Sequence, residues 1–258
     1  DCSSSRYPIR RLAYFLLRKS NATILAVGQH SVKHFLNLGF VGNRVYNFPI
    51  YCDVPKTTSN VRYDRNVFSQ AYGLDAKKIW IFSGSRIEYE KGFDLLVDSV
   101  IGSAEVLKDS TQVVIIGTGT QEESLQRKIE NAHLTNFVFM IPWLDWSEFV
   151  RFLRSSDIVI QPSRNETYGI GALSLANGVP VIGSTSAGAS LEKIQDGENG
   201  FLFDVDKKDD LTEKIQLLVS NQSLREQMSI KAKLLEQEYT PLKGAQLLAR
   251  ICKEKLCD

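Results

Sequence analysis

Residues 161–203 read QPSRNETYGIGALSLANGVPVIGSTSAGASLEKIQDGENGFLF, and packing alone does not explain the residue types in this stretch. It follows an apolar run, 156–162 (SDIVIQP), which reads as a buried parallel strand ended by a proline. A loop with Ser163, Arg164, Asn165 and Glu166 comes next. Gly169 then leads into 170–177, whose Ala, Leu and Ser content and apolar spacing predict a helix. Gly178, Val179 and Pro180 stop that helix, and Val181 and Ile182 begin another strand. In an open parallel sheet the loops from strands to helices gather at the carboxyl ends of the strands, where the free N–H groups and dipole of each helix favour an anion. Glu166 is therefore expected at the mouth of a ligand cleft.

The same alternation recurs upstream. A buried strand at 79–82 (IWIF) runs into 83–92 (SGSRIEYEKG) before an amphipathic helix at 93–100. Glycine after a strand lets the backbone approach a ligand closely, which marks Gly84 and Ser85 as contact positions. Arg86 and Lys91, five apart in one loop, can converge on a diphosphate. A further strand, 112–116, ends in Gly117-Thr118-Gly119. A dinucleotide fingerprint would need a third glycine at position 122, which is Glu122, a carboxylate that would face a pyrophosphate. The nicotinamide-cofactor reading is excluded on that ground. Residues 137–141 (FVFMI) form another strand, 142–145 (PWLD) a loop, and 147–155 a helix capped by Asp145 or Ser147 with Phe149, Val150 and Leu153 buried. Trp146 reads equally as core. From 79 to 218 the pattern predicts a parallel, doubly wound α/β domain.

Towards the amino end, 6–20 carries a helical stripe of Ile9, Leu12, Ala13, Leu16 and Leu17, with Arg10, Arg11, Arg18 and Lys19 largely off it. The preferred reading is a helix packed on its own domain with a solvated basic edge, and the alternative is a helix lying on an anionic membrane surface. A short strand (22–27) and a helix (31–38) follow, and 57–73 reads as an irregular polar lead-in. Beyond the signature, 209–220, 223–238 and 242–255 are expected helices.

The 258 residues are 43% apolar and 24% charged with a formal net charge of +1, which suits one large or two modest globular domains and gives no field pointing to nucleic acid. Cys2, Cys52, Cys252 and Cys257 lack the C-x-x-C spacing of a zinc or redox site, so a reduced cytosolic compartment is expected. No apolar stretch of 18 residues exists, and the first residues are not a signal peptide. His30, His34 and His133 show no partner pattern and are assigned to surface or packing; no metal site is expected. The chain begins with Asp1, which suggests a piece of a longer protein.

Glu166, Gly178-Val179-Pro180-Val181 and Asp196-Gly197-Glu198-Asn199-Gly200 fall in the register of retaining glycosyltransferases of family 4, the group 1 transferases with a GT-B fold. The loop Gly84-Ser85-Arg86 to Lys91-Gly92 resembles their G-R-x-x-x-x-K-G motif. The resemblance covers nearly the whole chain but only the C-terminal half of a complete enzyme. It divides the chain into the end of an N-terminal GT-B domain and linker (1–47), a donor-binding Rossmann-like domain (48–238) and a crossing helix (239–258). Asn47 and Asp53 match its linker.

The function implied is transfer of a sugar, with retention at the anomeric carbon, from a UDP-, GDP- or ADP-linked donor to a hydroxyl of a glycan or lipid-linked acceptor. No further cofactor and no metal are implied. In that reading Arg86 and Lys91 stabilise the leaving diphosphate, Glu166 hydrogen-bonds the donor sugar, and Gly169 and Ile170 offer backbone N–H groups to phosphate. Gly117 and Gly119 fit as turn residues near the cleft, although a tight turn without a ligand explains them as well. Trp143 or Leu144 would wall the nucleobase. One position departs: Ser174 stands seven residues after Glu166, where the family has a second glutamate for the ribose hydroxyls. A serine cannot offer two carboxylate oxygens to a diol, which implies weaker or altered donor binding. Two rivals remain, a nucleotide-sugar-binding subunit that completes an enzyme with a partner, and a GT-B epimerase with its own acid/base carboxylates near Glu166. The site is expected in the cytoplasm, with the membrane inner face as a peripheral location through 6–20.

Overall fold

The apolar runs of the sequence have no polar face to leave in water, so each must be covered on both sides. The computed structural model describes residues 7–51, 61–207, 209–235, 238 and 240–256. In chain order it begins with α1 (Tyr7–Lys19), β1 (Ile24–Ala26), α2 (Gln29–Asn37) and β2 (Val45–Asn47). Next come α3 (Val61–Tyr72), β3 (Ile79–Gly84), α4 (Phe93–Gly102), α5 (Ala104–Leu107), β4 (Thr111–Ile116), α6 (Glu122–Asn131) and β5 (Val138–Ile141). The rest is α7 (Trp146–Ser155), β6 (Ile158–Gln161), α8 (Gly171–Ala176), β7 (Val181–Ser184), α9 (Gly188–Lys193), β8 (Gly200–Phe203), α10 (Asp210–Ser220), α11 (Gln222–Lys233) and α12 (Pro241–Leu256).

Six strands pair in parallel in the order β5-β4-β3-β6-β7-β8. Alternate residues face opposite sides. Ile81, Val113, Ile115, Ile158 and Ile182 pack with Leu96, Val100, Leu125 and Ile215 of α4, α6 and α10. Trp80, Phe82, Val114, Ile116 and Val159 pack with Phe68, Phe149, Phe152 and Leu173 of α3, α7 and α8. Strand order runs outward in one direction from β3 and in the other from β6, so the loops after these two strands diverge and leave a crevice between them. Those are the loops that carry Arg86, Lys91 and Glu166.

Several expectations are corrected. The polar lead-in at 57–73 is a helix over Val61–Tyr72, outside of which 57–60 lie beyond the described residues. Its scattered apolar residues are the inner face: Phe68 meets Phe152 at 4.9 Å, and buried Asp64 takes two hydrogen bonds from Arg151. The stretch between β7 and Asp196-Gly197-Glu198-Asn199-Gly200 contains α9, and β8 opens at Gly200. Trp146 is not core; it starts α7 half-exposed, and Asp145 caps that helix through the N–H of Glu148 at 2.8 Å.

β1 and β2 pair in parallel as a separate small sheet. Among the side chains described for α1, Tyr14 alone joins the small cluster of Phe35, Phe40 and Val45, by edge-to-face contacts with the two rings at 6.1 and 6.3 Å. Leu12, Ala13, Leu16 and Leu17 are exposed, so the described part of the stripe expected to pack on its own domain is not buried; the side chain of Ile9 lies outside the description. The last helix packs through Gly244 against the Tyr51 ring and through Glu254 on the Tyr46 hydroxyl. Of the cysteines, Cys252 is exposed and free, and the other three lie outside the described residues. No described helix is long and apolar enough to cross a membrane.

Candidate functional site

The two motif loops are joined by their backbones before any side chain is considered. Glu90 O accepts the N–H groups of both Arg164 and Asn165, at 2.8 and 3.2 Å. Gly92 sits at φ 68, and a Cβ there would lie 2.0 Å from Pro162 O, so the loop after β3 can lie against the end of β6 only with glycine at this position. On the other flank Arg164 grips Asp94 of α4 with two hydrogen bonds of 2.7 and 2.6 Å and stacks its guanidinium 4.2 Å over the Tyr89 ring. Burial pushes the Asp94 carboxyl up, but the hydrogen bonds and charge of Arg164 outweigh it and hold it below its ordinary range.

This frame brings Lys91 and Glu166 together across the crevice: Lys91 Nζ donates to Glu166 Oε2, with both side chains largely buried (15% and 18% exposed). Glu166 is held in turn by its backbone, which bonds Ser186 O and the N–H of Gly188. Arg86 stands exposed at the rim of the same loop, and its guanidinium makes no hydrogen bond or ion pair with the described residues. Nearby, Glu88 accepts from the Thr120 hydroxyl and N–H, and these bonds, with a smaller contribution from the Arg86 charge, draw its carboxyl below the ordinary range.

The other residues marked in the sequence divide into those that reach the crevice and those the fold uses itself. Gly169 and Ile170 are partly exposed, and their N–H groups bond no described residue; the N–H of Gly171 is taken by buried Gln161 at 2.9 Å. Ser85 N–H bonds Ile116 O at 3.1 Å, Ile87 N–H bonds Thr118 O at 2.8 Å, and Gln121 N–H bonds Ile87 O at 3.0 Å. The loops after β3 and β4 thus zip together, and a Cβ on Gly117 or Gly119 would lie 1.9 Å from Ser85 O or 2.3 Å from Ile87 O. That contact accounts for both glycines without a ligand. Gly84 is likewise required by packing, because its missing Cβ would strike Phe149 and Phe82.

Trp143 is 53% exposed and stacks on Phe149 at 5.4 Å, which leaves one face of the indole free; Leu144 is buried in the core. Ser174, expected at the ribose, is 0% exposed on the inner side of α8, and its hydroxyl has no hydrogen-bond partner among the described residues. As folded it meets no solvent.

Three features lie beyond what the sequence reading marked. Glu192 of α9 accepts from the Gln29 N–H and the Asn47 amide at 3.1 Å each and pairs with Lys193 at 2.9 Å, tying the small sheet to the large one. Burial raises its carboxyl, but the Lys193 and Asn47 hydrogen bonds, the Lys193 charge and the Gln29 N–H prevail and lower it. Its contribution is therefore present above the unfolded carboxyl range, roughly pH 4.3, and disappears as pH falls through the lowered folded value. Glu192→Gln is expected to lower stability by about 1.5 to 3 kcal/mol at pH 7, the range for hydrogen bonds to a charged group, and by progressively less below pH 4. Chemical denaturation across pH checks this; a penalty independent of pH would show that the charge plays no part.

The second feature is the Arg164–Asp94 pair. The third is a cavity of about 790 Å3 between α2 and the loops after β6 and β7, with Glu166 in its wall beside His30 and His34. The four-residue spacing of those histidines was visible, but nothing in the sequence placed α2 opposite Glu166.

A family model described as group 1 glycosyl transferases matches residues 64–235. An uncharacterized glycosyltransferase of Methanocaldococcus jannaschii is 31% identical over 156 residues, 58% of this chain and 41% of the relative. The D-inositol 3-phosphate glycosyltransferase of an Arthrobacter species is 29% identical over 188 residues, 68% of this chain and 44% of the relative. The chain thus spans less than half the length of these curated relatives. Among solved structures, the Anabaena protein HepE in complex with UDP superposes with a TM-score of 0.82 at 18% identity over 95% of this chain and 67% of that one, a likeness of fold that agrees with the GT-B type of the sheet. The matched span covers both loops and the crevice between them, and the chain belongs to the group 1 glycosyltransferases.

Proposed function

We propose that this chain forms the donor-binding half of a retaining glycosyltransferase, which moves a sugar from a nucleotide sugar to a hydroxyl of a glycan or lipid-linked acceptor. The observation that carries this reading is the meeting of Lys91 and Glu166 at the point where strand order reverses, where a parallel sheet presents its ligand cleft. Arg86 and Lys91 oppose the negative charge that grows on the departing diphosphate, a stabilisation larger in the transition state than in the ground state. Glu166 fixes Lys91 and offers its other oxygen to the donor sugar. The unbonded N–H groups of Gly169 and Ile170 face the phosphates, and the free face of Trp143 stacks on the base. The Anabaena neighbour's complexes with UDP and with UDP-glucose support a uridine donor. The exposed Leu12, Phe15 and Leu16 of α1, with Arg18 and Lys19 in its last turn, support a peripheral contact with an anionic membrane surface.

The test is a calorimetric titration with UDP, GDP, ADP and their sugar conjugates. Saturable binding of one nucleotide is expected, weakened by about 1.5 to 3 kcal/mol in Arg86→Ala, the value of a charge-assisted hydrogen bond. Affinity unchanged by that substitution would remove Arg86 from the diphosphate.

A further inference from the structure

The turn that carries Lys91 has little of its own to hold it. Tyr89–Lys91 is a single helical turn of three residues with no buried side chain, and Tyr89 is exposed. The fixed points lie outside it: Ile87 before the turn and Phe93 after it are buried, and Gly92 rests against Pro162. Arg164 supplies the grip in between. Its Nη1 donates to Tyr89 O at 3.1 Å, its guanidinium covers the Tyr89 ring, and its own N–H bonds Glu90 O. On the far side of Lys91, Nη1 and Nη2 hold the two carboxylate oxygens of Asp94. One guanidinium thus joins the chain just before Lys91 to the chain just after it.

Both ends of this bracket are anchored. Asp94 stands in the first turn of α4, whose Phe93, Leu96, Val97 and Val100 are buried in the core. Arg164 follows Ser163, whose O accepts from Ser184 Oγ at the end of β7. An arginine so near a diphosphate site could itself be a phosphate ligand. Here both terminal nitrogens are spent on Asp94 and Tyr89 O, and an arriving phosphate would have to compete with a bidentate carboxylate.

We propose that Arg164 and Asp94 are a positioning pair, which clamps the turn on either side of Lys91 and so sets its ammonium at Glu166 and at the donor's diphosphate without touching the donor. The inference rests on the donor-binding reading above. Without the pair the turn keeps its ends but not its course between them, and the flexible stem of Lys91 lets the ammonium leave the crevice. A lysine at 164 would neutralise Asp94 but could not bridge it to the Tyr89 carbonyl and ring through one planar group.

The test reads Lys91 and the nucleotide separately in the 258-residue chain. Acetylation of each lysine by acetic anhydride, scored by mass spectrometry, needs no ligand. Lys91 is 15% exposed in its pair with Glu166, and Lys214, 22% exposed and paired with Asp210, is the control. In Arg164→Ala and in the isosteric Asp94→Asn, Lys91 labelling is expected to rise about tenfold with Lys214 unchanged, as the loss of a charge-assisted hydrogen bond implies. Calorimetry with UDP is expected to show about tenfold weaker binding in Arg164→Ala, partial recovery in Arg164→Lys, and no further loss when Arg164→Ala is added to Lys91→Ala. Lys91 labelling unchanged in both variants overturns the inference and leaves the donor reading standing. Equal rises at Lys91 and Lys214 also overturn it, because the pair would then hold the domain rather than the turn. A loss of UDP affinity that persists in the Lys91→Ala background overturns it as well, by making Arg164 a phosphate ligand. Selective exposure of Lys91 in a chain that binds no nucleotide keeps the clamp and rejects the donor reading.

Discussion

Lys91→Ala is expected to weaken nucleoside diphosphate binding by about 3 kcal/mol, the upper end for a hydrogen bond to a charged group, or roughly a hundredfold in Kd. Two effects act in the same direction. The ammonium that would meet the phosphates is lost, and the Glu166 carboxylate it neutralised is left largely buried and unpaired in the anion's path. The size of the second effect can be read separately. Lys91→Ala/Glu166→Gln removes the stranded charge, so it should recover part of the affinity that Lys91→Ala loses, and a calorimetric cycle of wild type, both single variants and the double variant gives the coupling. A Lys91→Ala protein that folds normally and binds UDP as wild type does would place the diphosphate elsewhere. Arg86→Ala should have the smaller effect, because its exposed side chain leaves no buried partner behind.

The second large effect concerns Ser174, where the sequence and the fold make opposite forecasts. By register alone, Ser174→Glu restores the family's second carboxylate and should tighten nucleotide binding. In the structure the site is fully buried and even the serine hydroxyl finds no partner among the described residues, so a glutamate would be an uncompensated buried charge. Ser174→Glu is therefore expected to lose about 3 to 5 kcal/mol of stability, while Ser174→Ala should be nearly neutral because it removes a polar group that makes no bond. Urea denaturation of both variants decides the matter. A stable Ser174→Glu protein with tighter UDP binding would mean that α8 turns this face to the ribose when the donor binds.

The same contrast separates what was legible in the chain from what was not. The strands read at 79–82, 112–116, 137–141 and 156–162 and the helices read at 93–100 and 147–155 were legible because a strand covered on both faces needs an unbroken apolar run and a covering helix needs a stripe, patterns that local order carries. β8 and α9 escaped because each opens on a glycine among small or turn-forming residues, Asn199-Gly200 and Ala187-Gly188, and α3 escaped because its inner face is partly charged, with Asp64 taking hydrogen bonds from Arg151 of another helix. The types and spacing of Arg86, Lys91 and Glu166 were determined by the sequence alone. That Lys91 and Glu166 touch was decided by tertiary structure, since residues 75 apart in the chain meet only because β3 and β6 are neighbours at the reversal of strand order. Tertiary structure also decided that Gly84, Gly117 and Gly119 answer to packing, that Ser174 is sealed in, and that His30 and His34 line one cavity with Glu166. Each of these depends on which atoms approach from distant parts of the chain, and such approaches leave no trace in the spacing of neighbouring residues.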